Sequence, residues 1–247
     1  MIHYHGTPMT PTADMLRAMR GRHCMVSFEH VDQIAEAAEV CQSVVLDNGA
    51  FSAWRQGKPY DFDGYYEWAG LWLKHPAVEW AIIPDVIDGD EEANERLVSQ
   101  WPHGKHRGVP VWHLHEALAR LEWLCKTWPR VALGSSGKYS DPGSAPWWSR
   151  MAQAMRVATD ADGMPLAKLH GLRMLDPVVF AHVPLASADS CNVARNIGID
   201  AKWNGPYAPA SRAMRALIMM DRIEGHASAR RWCAGSSGVQ QNMELLG

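Results

Sequence analysis

Three carboxylates close apolar, strand-like runs: Asp47 in Val44-Val45-Leu46-Asp47-Asn48-Gly49, Asp85 in Ile82-Ile83-Pro84-Asp85-Val86, and Asp189 in Leu185-Ala186-Ser187-Ala188-Asp189. Asp47 and Asp189 are the type of acid pair that retaining glycosyl transfer uses, one as nucleophile and one as acid/base. From position alone Asp47 serves equally well as a turn cap, a common use of Asp, and both uses stay open. Asp85 still belongs to a strand end, where a carboxylate can accept two hydrogen bonds from a planar amidine-like edge such as the N1–H and exocyclic amine of guanine. The acids that follow it, Asp88, Asp90, Glu91 and Glu92, read mainly as dipole-favoured residues of a first helical turn. Gly49 lets backbone approach a ligand closely. Gly134-Ser135-Ser136-Gly137 can turn backbone N–H groups toward a base carbonyl or a phosphate, or be a plain turn. Its second copy at positions 235–238 reads as coincidence.

A competing constellation is metallic. His3-Tyr4-His5 and His113-Leu114-His115 each place two imidazoles on one face of a strand, the arrangement a metal-dependent barrel hydrolase would use with an added acid. A zinc site needs a converging third ligand, and strand-end His in a polar pocket is otherwise explained by hydrogen bonding. A third class is a non-catalytic subunit that binds nucleic acid through a basic tail.

These residues need elements to hold them. Short Val/Ile-rich runs alternate with stretches of helical period, the pattern of repeated βα units around a parallel sheet. Strands are expected at Ile2–His5, Cys24–Phe28, Val44–Asp47, Ala81–Asp85, Val109–His113, Val131–Gly134, Ala167–His170 and Leu185–Asp189. Helices are expected at Asp32–Val40, Phe62–Lys74, Glu91–Trp101, Glu116–Trp128, Trp147–Thr159, Asp176–Ala181 and Ser211–Glu224. Eight strands is the number a TIM-type (β/α)8 barrel needs, and polar residues at most strand C-termini favour it over a doubly wound open sheet, which would use only its switch point. The expected organisation is therefore one α/β barrel domain over residues 1–247. Residues 190–247 form a helical tail carrying Arg212, Arg215, Arg222, Arg230 and Arg231.

A chain of 247 residues matches a single barrel, and 47% hydrophobic with 21% charged residues supports a large core. The net charge of −3 offers no global electropositive footprint for phosphates, although a local basic groove is compatible with it. Twelve Trp read chiefly as helix faces packed on the sheet rather than base-stacking platforms. Five scattered Cys without Cys-x-x-Cys spacing argue against a disulfide framework and for a cytoplasmic setting. The first residues lack the apolar core of a signal peptide, and no run of eighteen apolar residues suggests a membrane span.

Taken in order, Leu46-Asp47-Asn48-Gly49-Ala50-Phe51, Pro84-Asp85, Gly134-Ser135-Ser136-Gly137, Lys168-Leu169-His170-Gly171 and Asp189-Ser190-Cys191-Asn192-Val193-Ala194-Arg195-Asn196 resemble the tRNA-guanine transglycosylase superfamily. The compact DpdA-type branch, which inserts 7-deazaguanines into DNA, is most similar. The resemblance runs from Asp47 to Asn196 through short blocks whose shared order carries it. It implies Asp189 as nucleophile, Asp47 as acid/base, and Asp85 as reader of the base's amidine edge. Gly134 and Ser135 would contact the base carbonyl, and His170 and Gly171 would line the pocket. Asn48, Gly49, Phe51, His113 and Ser136 complete the substrate-binding candidates. The implied activity is exchange of guanine in nucleic acid, DNA in preference to tRNA, for a 7-deazaguanine such as preQ0, with no cofactor. The family's Cys-x-Cys-x-x-Cys zinc motif with its later His is missing, so no metal subdomain is expected.

Overall fold

A computed structural model describes residues 1–87, 89–198 and 209–234. The elements run β1 (Ile2–Gly6), α1 (Thr12–Met19), β2 (His23–Ser27), α2 (Ile34–Val40), β3 (Ser43–Asp47), α3 (Ala50–Arg55), α4 (Phe62–Trp72), β4 (Val78–Ile82), α5 (Glu91–Ser99), β5 (Gly108–Val109), β6 (Val111–His113), α6 (Leu118–Thr127), β7 (Arg130–Gly134), α7 (Ala145–Ala158), β8 (Lys168–Gly171), α8 (Pro177–Phe180), β9 (Ser187–Ser190), α9 (Asn192–Asn196) and α10 (Arg212–Glu224). No described helix is long and apolar enough to cross a membrane. The chain is α/β with parallel strand pairing, as its alternation of elements implies.

Among the described residues nine strands replace the eight expected, and the reason is Pro110. The run 109–113 would be one strand, but proline has no N–H for the ladder. Pro110 only accepts, from the Ala132 N–H at 2.9 Å, and β5 and β6 fall on either side of it. The fourth strand also begins earlier than expected, at Val78, because Glu79 interrupts the apolar run while Val78 and Trp80 keep the period-two burial of a strand. Asp85 consequently lies beyond the end of β4 rather than in it.

The chain divides into two compact units. The first-half unit holds Ile2–Ala81 and Asp189–His226. Within it β1, β2, β3 and β4 pair successively in parallel, with Ser27 opposite Asp47 at the ends of β2 and β3. Alternation gives each strand two faces. On one, Tyr4 packs edge-on against His23 and Trp80, and His23 Nδ1 lies 2.8 Å from the Ser43 hydroxyl; Asp47 belongs to the Ser43 face. The other face carries fully buried Cys24, Val44 and Leu46. α1 presents buried Met15, Ala18 and Met19 at helical spacing, a stripe that typifies an amphipathic helix docked on a core.

The second-half unit holds Ile82–Ala188 with the described residues from Ala227 on. Here β6, β7, β8 and the Ser187–Ala188 part of β9 pair in parallel, and the Ile83 N–H donates to the Val109 carbonyl at 2.9 Å. α7 buries Trp147, Trp148, Met151, Ala154, Met155 and Ala158 along one face, and α6 buries Leu121, Leu124 and Cys125. The Trp-rich segments are thus largely core, as their helical spacing suggests. α5 begins at Asp90, whose carboxylate accepts from the Ala93 N–H at 2.7 Å, an N-cap with Glu91 and Glu92 in the first turn. Asp88 lies outside the described residues, as do the second Gly-Ser-Ser-Gly and the tail beyond position 234.

In the first-half unit α10 is fastened to β1 and to the turn after α1 by charge. Glu224 Oε1 lies 2.8 Å from His5 Nε2, and Arg22 Nε donates to both Glu224 oxygens at 3.1 and 3.2 Å while its Nη2 pairs with Asp221. Burial pushes the Glu224 carboxyl up, but the hydrogen bond and charge of His5 and those of Arg22 outweigh it and hold the group below its ordinary value near 4.5. A depressed carboxylate contributes stability that is complete above its unfolded value and is lost as pH falls through the folded one. Urea unfolding followed from pH 7 down to pH 3 should therefore show a steeper acid loss for the wild type than for Glu224→Gln, with the variant less stable at pH 7. Parallel curves would remove this latch from the account of the fold.

Candidate active site at the strand ends

In the second-half unit Asp85 is buried, and its Oδ2 accepts a 2.7 Å hydrogen bond from Nε2–H of His113, the last residue of β6. The other ring nitrogen of His113, Nδ1, is buried without a hydrogen-bond partner among the described residues. It faces Gly134, at the end of β7, where a Cβ would stand only 2.9 Å away. Glycine is thus the residue that admits the ring at this position. Burial would lower the His113 pKa; the hydrogen bond and charge of Asp85, with the charge of Glu116, outweigh it and the opposing Arg120, and hold it above 6.5.

Glu116 is the hub behind this pair. Its carboxylate accepts from the His113 backbone N–H (2.9 Å), from Arg120 Nη1 (2.7 Å) and from Asn94 Nδ2 (2.9 Å). Asn94 in turn brackets Val86, the residue after Asp85, accepting from its N–H at 2.7 Å and donating to its carbonyl at 3.3 Å. Asp85 is therefore held by its side chain through His113 and by its neighbouring backbone through Asn94. Arg120 also donates to the Val111 carbonyl at 2.9 Å.

The Gly134-Ser135-Ser136 turn is engaged by protein groups: Trp147 Nε1–H donates to Ser135 Oγ at 2.9 Å, and His115 Nδ1 lies 2.7 Å from Ser136 Oγ. His115 stacks on His113 with ring centroids 5.6 Å apart. Arg150 donates to the carbonyls of Leu114 and Glu116, with its guanidinium over Trp112. His170 is wholly buried, its Nδ1 2.9 Å from the Ser187 hydroxyl, and Gly171 packs against Leu185 and Met174. A cavity of about 450 Å³ lies at the opposite, N-terminal ends of β7, β8 and β9, lined among others by Pro129, Leu166, Lys168, Leu185 and Arg230. It is remote from Asp85 and His113 along these strands.

The first-half unit holds the other acids. Asp47 is half-buried at the end of β3, and Asp189 is buried near the end of β9. The strand order β3-β2-β1-β9 places two strands between them. Asn48 caps the turn after Asp47, its Oδ1 accepting the Ala50 N–H at 2.9 Å, while its carbonyl accepts from the Tyr60 hydroxyl at 2.7 Å. Gly49 has φ +74° and lies so close to Glu29 N and Ser27 Oγ that a Cβ would crowd both, so left-handed geometry and space each select glycine. Phe51 packs on Trp54, which is 46% exposed.

The two His-x-His pairs meet different fates. His3 and His5 both turn toward the C-terminal end of α10, His3 Nε2 lying 3.2 Å from the His226 carbonyl and His5 on Glu224. His113 and His115 are committed to Asp85 and Ser136. Among the described residues no three His, Cys, Asp or Glu side chains are grouped as metal ligands. Sequence reasoning missed Asn94, Arg120 and Arg150; the i,i+4 spacing of Glu116 and Arg120 was the one signal available for the hub.

No protein-family model matches the chain, and no curated protein does.

Glu116 and Arg120 are 1% and 5% exposed, so removing one partner leaves an uncompensated buried charge. Glu116→Ala should cost about 3–5 kcal/mol in denaturant unfolding. Glu92→Ala, which removes the same i,i+4 geometry at an exposed pair with Arg96, should cost less than about 1 kcal/mol. Equal losses would contradict the hub.

Proposed function

We propose that the chain is a base-exchange transglycosylase on a closed (β/α)8 TIM-type barrel, replacing guanine in nucleic acid, DNA in preference to tRNA, with a 7-deazaguanine such as preQ0. The observation that carries this reading is the placement of Asp47 and Asp189 in one compact unit, each at the C-terminal end of a parallel strand and with two strands between them. Chemistry in parallel α/β folds sits at that end of the strands. Three inter-strand steps separate the two backbones by about 14 Å along the sheet.

In this reading Asp189 attacks C1′ of the target nucleotide while the C1′–N9 bond breaks and its electron pair leaves with guanine, which Asp47 protonates. The resulting ester joins Asp189 to the sugar. Asp47, now a base, takes the N9 proton of the incoming 7-deazaguanine; that nitrogen attacks C1′, and the ester bond returns its pair to Asp189. Two inversions retain configuration. In the other unit, Asp85, held by His113, is proposed to read the donor edge of a base. The target nucleotide must leave its stack, at a cost of a few kcal/mol unless already unpaired. Trp54, exposed just after the Asp47 loop, offers the stacking surface that offsets it.

With labelled guanine and preQ0 on duplex DNA and on tRNA, Asp189→Ala should lose both exchange and the covalent adduct on denaturing gels. Asp47→Asn should slow exchange by about 10²–10⁴-fold, the usual worth of a general acid/base. Exchange at the wild-type rate by Asp189→Ala would end this proposal.

A further inference from the structure

The base-recognition role given to Asp85 leaves His113 unexplained. Its ring is buried, its Nδ1 is closed off against Gly134, and its one hydrogen bond in the described structure is the 2.7 Å contact to Asp85 Oδ2. A ring sealed in this way touches no ligand directly. It acts through the carboxylate.

We propose that His113 is the positioning residue of base recognition: its Nε2–H holds the Asp85 carboxylate toward the N–H edge of a neutral purine-type base, and its positive charge competes with that base for the carboxylate. The proposal rests on the reading of Asp85 as the base reader.

Two consequences follow from electrostatics. A neutral N–H donor gains most from a carboxylate whose charge is not already compensated by an imidazolium. Base affinity should therefore rise as pH rises through the His113 titration. Binding linkage is reciprocal, so the bound base should lower the His113 pKa by the matching amount. The charged and titratable groups around His113 are Asp85 after β4, His115 stacked on its ring, and Glu116 and Arg120 at the start of α6; β7 contributes Gly134. Asp85 and Glu116 favour the cation, and Arg120 opposes it. The His113 titration point is held above its ordinary value.

Three side chains separate the contributions. Gln at position 113 keeps an amide N–H donor for Asp85 but does not titrate. Leu fills similar space with no donor. His115→Gln removes the neighbouring imidazole and leaves His113 in place.

Binding of free preQ0 is measured by equilibrium dialysis from pH 5.5 to 8.5, with His113 followed by NMR titration of the full chain. Wild type should gain about 5-fold or more in affinity across the His113 titration, and preQ0 should lower the His113 pKa. His113→Gln should bind with a flat profile near the wild-type high-pH affinity, His115→Gln should keep the wild-type slope, and His113→Leu should bind about 10-fold or more weakly at every pH. A wild-type profile that stays flat while His113 titrates overturns the proposal, as does a slope that survives His113→Gln. If His113→Leu does not fold, the comparison of wild type with His113→Gln decides alone. Wild-type protein that binds no preQ0 at any pH overturns the underlying role of Asp85, an outcome distinct from base bound without pH dependence.

Discussion

Two carboxylates and two basic side chains are buried together around the end of β6, each paired with another. Asp85, Glu116, Arg120 and His113 balance to neutrality only when His113 carries its proton. An isolated charge in such a site would shift its protonation or unfold its surroundings. The network therefore ties the loop after β4 to the end of β6 and to the first turns of α5 and α6 through hydrogen bonds that have no solvent substitute. Several sequence features fit its presence: glycine at 134, asparagine at 94, and an acid just before α6.

The sequence reading succeeded where the physics is local. Val/Ile runs marked β2, β3 and β7 to within a residue because a strand buried on both faces has few alternatives to continuous apolar character. The cap at Asp90 was readable because an N-cap and its first turn are adjacent in sequence. Failures came where one residue changed the meaning of its neighbours. Pro110 removed a single N–H and cut a strand in two, while Glu79 hid the start of β4 because its charge outweighed the alternation around it. α1 was not expected, although Met15, Ala18 and Met19 carried its apolar stripe.

The site itself was half legible. Strand-end position singled out Asp47, Asp85 and Asp189, which the structure leaves at or just past strand ends. What position does not encode is the partner. His5 and His113 stand on strands with the same local pattern of alternating imidazoles, yet one is taken by a glutamate 219 residues away on α10 and the other by an aspartate 28 residues away. Long-range pairing of this kind is fixed by which face of its strand each imidazole occupies, and a one-residue change of register would turn it to the opposite face.

Environment, more than residue type, separates the tasks open to the acids. A carboxylate pinned through a neighbouring imidazole and through the backbone beside it has given up rotational freedom, which suits recognition of a rigid planar edge. Asp47 stands half-buried before a left-handed glycine, where solvent and a moving ligand can both reach it, which suits proton transfer. Asp189 is buried beside small residues, Ser187 and Ala188, so a group approaching it meets little side-chain bulk from its own strand.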